Sequence, residues 1–182
     1  MSGDTGFQFK YNLAGRTSGI IRSFPIYNSL TVAVGDMVYL TGGGIGPCPA
    51  TANILGVCVG LTDTNGTPIS DTPLSVSGTY TASSRQYAAA ADNMTVDKVQ
   101  ALVDIDPFSV WSATPDATIG TDTESDMAGS YTDLVATAGD QPDEDTAATT
   151  QCQLFIWGVD PENSAKGLYS IAQHQIFGWT AA

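Results

Sequence analysis

Basic residues are scarce in this chain: six Lys and Arg stand against nineteen Asp and Glu, a formal charge of −13 over 182 residues. Nucleic-acid binding draws its affinity from Lys and Arg contacts that neutralise phosphates and release counterions, so free nucleic acid is not an expected ligand. Histidine is scarcer still. His174 is the sole one, in "IAQHQIF", where Ser170, Ala172, His174 and Ile176 share a strand face. Any Ser-His-Asp or Cys-His catalysis would have to run through it, and there is no G-x-S-x-G elbow to accompany it. The three cysteines, Cys48, Cys58 and Cys152, form an odd set without C-x-x-C spacing. That suggests neither a disulfide framework nor a tetrahedral zinc site, and reduced thiols are expected, with Cys58 and Cys152 buried. No apolar run approaches the roughly 18 residues of a membrane span. The opening MSGDTGFQFKYN lacks the basic and apolar stretches of a secretory signal, so synthesis in a cytoplasm is expected.

What is present is a many-turned pattern. Charged residues make up only 14% of the chain, and Thr, Ser, Gly and Ala fill the gaps between short apolar runs, which favours β structure over helix. A chain of this size can bury roughly 70% of its unfolded surface, enough for a real core. The fold expected is all-β: a small β-barrel or sandwich over residues 23–182, with an extended N-terminal arm over residues 1–22 and long irregular loops. The arm carries Lys10, Arg16 and Arg22, half of the basic residues, with scattered Phe7, Phe9 and Tyr11. In "GDMVYLTGGGIGPCPATANILGVCVGL", residues 35–61, two strands flank an uncharged Gly/Pro-rich loop. Alternation there places Leu55, Val57, Val59 and Leu61 on one face and the small residues Gly56, Cys58 and Gly60 on the other, where a second backbone can come close. In "KVQALVDIDPFSVWSA" Val99, Ala101, Val103 and Ile105 oppose Gln100, Leu102, Asp104 and Asp106 until Pro107 interrupts. One short helix is expected near Gln86 to Asn93. "QLFIWGVDPENSAKGLYSIAQHQIFGW" closes the chain as two strands about a turn at Asp160-Pro161-Glu162-Asn163.

Each chemical motif has a plainer alternative. "TGGGIG" lacks the Lys and Ser/Thr of a phosphate loop and runs into Pro47, Cys48 and Pro49, so it reads as a hairpin tip or a backbone contact surface. Asp116, Asp122, Glu124 and Asp126 supply enough oxygen for calcium but depart from the EF-hand spacing, and a solvated acidic loop is the alternative. Asp104 and Asp106 form a carboxylate pair suited to glycoside cleavage, or else a strand-end pair capped by Pro107. Asn65-Gly66-Thr67 and Asn93-Met94-Thr95 match the glycosylation sequon. Exposed aromatics among Trp111, Trp157 and Trp179 would suit a carbohydrate-binding module, with core or interface packing as the alternative.

The order of segments, arm, "VGDMVYL", Gly-rich loop, "ATANILGVCVG", "VQALVDIDPFSVWSA", "GSYTDLVA" and "FIWGVDPENSAKGLYSIAQHQIFG", resembles tailed-bacteriophage capsid decoration proteins, also called cement or head-stabilising proteins. The resemblance spans about residues 30–178. It implies a small β-barrel module on the outer capsid surface of the virion, bound to the major capsid protein and commonly a homotrimer at three-fold sites. It implies no enzyme activity and no cofactor. The Ser/Thr/Pro-rich 62–95 and the acidic 114–150 depart from the smallest family members. Under this reading the interface would use Phe7, Phe9, Lys10, Tyr11, Arg16 and Arg22 of the arm, added as a strand to a neighbour, and Gly43, Gly44 and Ile45 of the uncharged loop.

Overall fold

A computed structural model describes residues 6–69, 76–116, 128–135, 139–143 and 152–177. Every regular element among them is a strand except one 3₁₀ turn at Ala82–Ser84. The chain runs through β1 (Gln8–Asn12), β2 (Ile21–Pro25), β3 (Thr31–Ala33), β4 (Met37–Thr41), β5 (Gly44–Pro47), β6 (Gly56–Thr62) and β7 (Thr79–Thr81). It continues through β8 (Gln86–Ala88), β9 (Gln100–Asp104), β10 (Ser109–Ala113), β11 (Tyr131–Leu134), β12 (Pro142–Asp143), β13 (Leu154–Asp160) and β14 (Asn163–Ile171). These strands form three antiparallel sheets, ordered β1-β10-β14-β13-β11-β12, β2-β9-β6-β4-β5 and β3-β8-β7.

The five-stranded sheet lies between two cores. Val38, Ile45, Leu55, Cys58, Tyr87, Val99, Ala101 and Val103 fill the first, toward the three-stranded sheet. Met37 and Val57 point the other way, to Trp111, Leu134, Leu154, Ile156 and Tyr169 of the six-stranded sheet. A strand buried on both faces needs apolar residues throughout, which is why "MVYL" and "GVCV" read as continuous runs. The architecture is sandwich-like. The central sheet curls until Ile26, just past β2, meets Ile45 in an isolated bridge, but it is not a closed barrel.

The expected alternation of Val99, Ala101, Val103 and Ile105 holds, and all four enter the first core. In β6 it does not. A register shift between Cys58 and Gly60 turns Leu61 to the side of Cys58, while Val57 and Val59 face the second core. The Gly-rich loop is also mostly strand: β5 folds back on β4 through a two-residue turn at Gly42 and Gly43, whose φ of +55° and +91° suit glycine at both positions. The helix expected near Gln86 to Asn93 is replaced by β8. Tyr87 is fully buried between half-exposed Gln86 and Ala88, and β3 and β7 pair with the strand on both sides, so tertiary pairing overrides the helix propensity of the alanines.

From Gly6 onward the arm is part of the domain. β1 pairs with β10 and β2 with β9, so an apolar "FQF" that could not fold alone finds its partners about a hundred residues downstream. The boundary expected at residue 22 is therefore not a structural one among the described residues.

Candidate functional site

Most residues proposed as an interface are occupied inside the fold. Phe7 is buried in the second core, and Phe9 meets Trp111 edge to face at 5.6 Å. A bulge at Lys10 shifts the register between Phe9 and Tyr11, so Tyr11 turns outward instead of sharing their face. Lys10 Nζ pairs with Glu162 at 2.7 Å and Asp160 at 3.0 Å; these hydrogen bonds, Glu162 first, raise its pKa. A bulge and a paired lysine both blunt the free edge of β1, which opposes strand addition there. Arg16 reaches Asp106 at 2.8 Å, while Arg22 is exposed and donates to the Ile21 carbonyl. Gly43 is exposed at the hairpin tip, but Gly44 and Ile45 are buried, Ile45 completely.

The chemical motifs are likewise absorbed. Asp104 and Asp106 are buried, at 3% and 1% exposure, and neither is presented to a substrate. Asp104 accepts from Ser109 Oγ and the Asp106 N–H, both at 2.9 Å, and burial raises its pKa. His174 is fully buried. Its Nδ1 accepts from Ile176 N–H at 3.1 Å, so Nε2 carries the proton and donates to the Ile105 carbonyl at 3.0 Å; burial lowers its pKa. Cys48 and Cys58 are buried, and burial pushes both thiols up to about 12; Cys152 is only half-buried, contrary to expectation. Asn93 is completely buried and bonded to Ile26 O and Val99 O, so its sequon is inaccessible, whereas Asn65 is exposed. Of the candidate calcium ligands only Asp116 is among the described residues; Asp122, Glu124, Asp126 and Trp179 lie outside them. Among the described residues no cluster of three His, Cys, Asp or Glu could hold a metal, and no helix is long and apolar enough to cross a membrane.

The six-stranded sheet carries a row of side chains that crosses five of its strands, exposed at its two ends and buried at Val110 and Ser170 between them. Register aligns Tyr131 with Phe155, Phe155 with Ser170, Ser170 with Val110 and Val110 with Tyr11. At the usual strand spacing the row is about 19 Å long. It holds no charge. Tyr131 and Phe155 meet edge to face at 5.5 Å, and Phe155 and Trp157 at 4.9 Å. Trp157 Nε1 donates to Ser170 Oγ at 3.0 Å, which fixes the indole beside the row with its polar atom already satisfied. Tyr131, Trp157 and Tyr11 are 39%, 42% and 42% exposed.

No family model, curated protein or solved structure matches this chain. The outer row therefore stands on its own geometry. Of the charged groups near it, Lys10 pairs with Asp160 and Glu162 and Arg16 with Asp106, while Asp133, two residues along β11 from Tyr131, accepts from Gln153 N–H at 3.2 Å. Asp160 is held below the usual carboxylate range: burial opposes this, but the Ser112 hydroxyl, the Glu162 N–H and Lys10 outweigh it. Sequence reading singled out Tyr11 and Trp157 but missed Tyr131 and Phe155. Alternation in "QLFIW" set Phe155 and Trp157 opposite Leu154 and Ile156 and could have found Phe155. Nothing local joins Tyr131 to them.

Proposed function

We propose that this chain is a structural virion protein, a cement or decoration protein that binds the outer surface of an assembled phage capsid and stabilises it. Its partner is the major capsid protein, and the uncharged aromatic row is the docking face. That row carries the reading. On a domain with a charge of −13, an uncharged surface is where contact with another protein costs least in ion desolvation, and Tyr and Trp dominate such contacts. The order of segments along the sequence supports it. Assembly as a homotrimer at three-fold sites belongs to the same proposal, since cyclic symmetry lets three modest contacts act together.

Mass spectrometry of purified source virions should find the chain in the shell, and cosedimentation with emptied shells should measure its affinity. Trp157→Ala should weaken that affinity by about thirtyfold or more, the equivalent of about 2 kcal/mol, with stability changed by less than about 1 kcal/mol. Full shell occupancy by Trp157→Ala would remove the row from the interface. Light scattering that finds a stable dimer would remove the trimer.

A second reading, a virion or cell-surface carbohydrate-binding module, is favoured by the same row, because exposed ring faces beside a tied indole also suit a sugar's apolar face. Trp111 cannot serve it, being 1% exposed. Glycan-array binding lost in Trp157→Ala, without shell binding, would select it. The glycoside-hydrolase alternative rested on Asp104 and Asp106, and both carboxylates are already engaged within the fold.

A further inference from the structure

The backbone of residues 35–37 is a crossing point for four other stretches of chain. The Gly35 carbonyl accepts from Phe7 N–H at 2.8 Å, and Gly35 N–H donates to Cys58 O at 2.8 Å. The Asp36 carbonyl accepts from Cys58 N–H at 2.8 Å. Met37 N–H donates to Gly139 O at 2.7 Å, and its carbonyl accepts from Cys48 N–H at 2.8 Å. Two partners approach on glycine: a Cβ on Gly6 would stand 2.9 Å from the Gly35 carbonyl, and one on Gly139 2.7 Å from Met37 O.

Beside this crossing the Asp36 carboxyl is buried, at 7% exposure. Its Oδ2 accepts from Ala33 N–H at 2.7 Å across the β3–β4 turn. An ionised carboxylate offers about four acceptor sites, so one donor serves it poorly. Among the described residues, the titratable groups around it are Asp140 from the 139–143 segment and the Cys58 thiol from β6, with Arg85 in electrostatic reach of Cys58; Gly6 and Phe7 contribute none. We propose that residues 35–37 form a pH-sensitive clamp: with Asp36 protonated they hold residues 6–7 and 139–140, and ionisation of Asp36 releases those two segments while the rest of the fold persists.

Burial, reinforced by Asp140 and opposed by the Ala33 hydrogen bond, pushes Asp36 up to about 7. A carboxyl raised in the folded state favours folding fully below its unfolded value of about 3.9, and that contribution is lost as pH rises through the folded value. The clamp is thus closed in mild acid and loosened in mild alkali, whatever the outer row binds.

Amide hydrogen exchange by NMR at about pH 5.5 and about pH 8.5, corrected for intrinsic rates, reads the opening directly. Protection of the Phe7 and Met37 amides should fall about tenfold further than that of Ala101 and Val103 in β9. Asp36→Asn should remove the difference, and Asp140→Asn should move its midpoint to higher pH only if the Asp140 charge favoured ionisation; the clamp requires a move to lower pH. An equal loss in β9, a pH response surviving in Asp36→Asn, or a midpoint unmoved by Asp140→Asn would overturn the clamp. If Asp36→Asn does not fold, the wild-type and Asp140→Asn profiles decide.

Discussion

Asp106→Ala should lower the unfolding free energy by about 3 kcal/mol, at the lower end of what breaking a buried charge pair costs. The Asp106 side chain has no solvent exposure and holds three donors: Arg16 Nη1 at 2.8 Å, Asn12 Nδ2 at 2.9 Å and Phe108 N–H at 3.0 Å. Arg16 is half exposed and can turn to water, which limits the loss. Asn12 is 7% exposed and cannot, so its amide is left unpaired at the end of β1. Asp106→Asn, which keeps an acceptor, should lose about half as much. Urea unfolding with an unchanged slope measures both, and a loss under about 1 kcal/mol for Asp106→Ala would show that this cluster does not fasten residues 12–16 to the domain.

Gly56→Ala should be at least as damaging, at about 3 kcal/mol or more. A Cβ there would stand 2.1 Å from the Asp104 carbonyl oxygen and 2.8 Å from Val103 Cγ1. The first obstacle is backbone and cannot turn aside, so β6 would have to part from β9. Gly60→Ala, four residues along the same strand, would meet only Leu102 Cδ1 at 3.4 Å and should cost less than about 1 kcal/mol. Similar melting temperatures for the two variants would refute the close-approach account of Gly56.

The close approach at Gly56 was legible in the sequence, and the cluster around Asp106 was not. The class of the fold was legible because Val99, Ala101, Val103 and Ile105 carry their own period, and a small residue at Gly56 announced a close backbone. The bulges at Lys10 and between Cys58 and Gly60 were not, since a bulge is set by the partner strand and leaves no mark in composition. Lys10 and Arg16 looked free because their partners, Asp160 and Asp106, lie far away in sequence. The outer row was hidden for the same reason: its five members come from five strands, and only pairing brings Tyr11, Val110, Ser170, Phe155 and Tyr131 into line.

The pairing of β1 with β10 also sets an order for vectorial synthesis. Phe7 and Phe9 are made about a hundred residues before the strand that receives them, "SVWSA", is completed at Ala113, and its other neighbour is completed only at Ile171. The β4–β5 hairpin needs no such wait and can close on itself at once. A nascent chain thus carries an apolar "FQF" without its strand partner while about a hundred further residues are made, a condition that favours stray strand pairing between neighbouring chains. Refolding from denaturant meets the same delay as a large loop to close, which places it in the millisecond-to-second range of sheet proteins with distant contacts, not the microseconds of helical bundles.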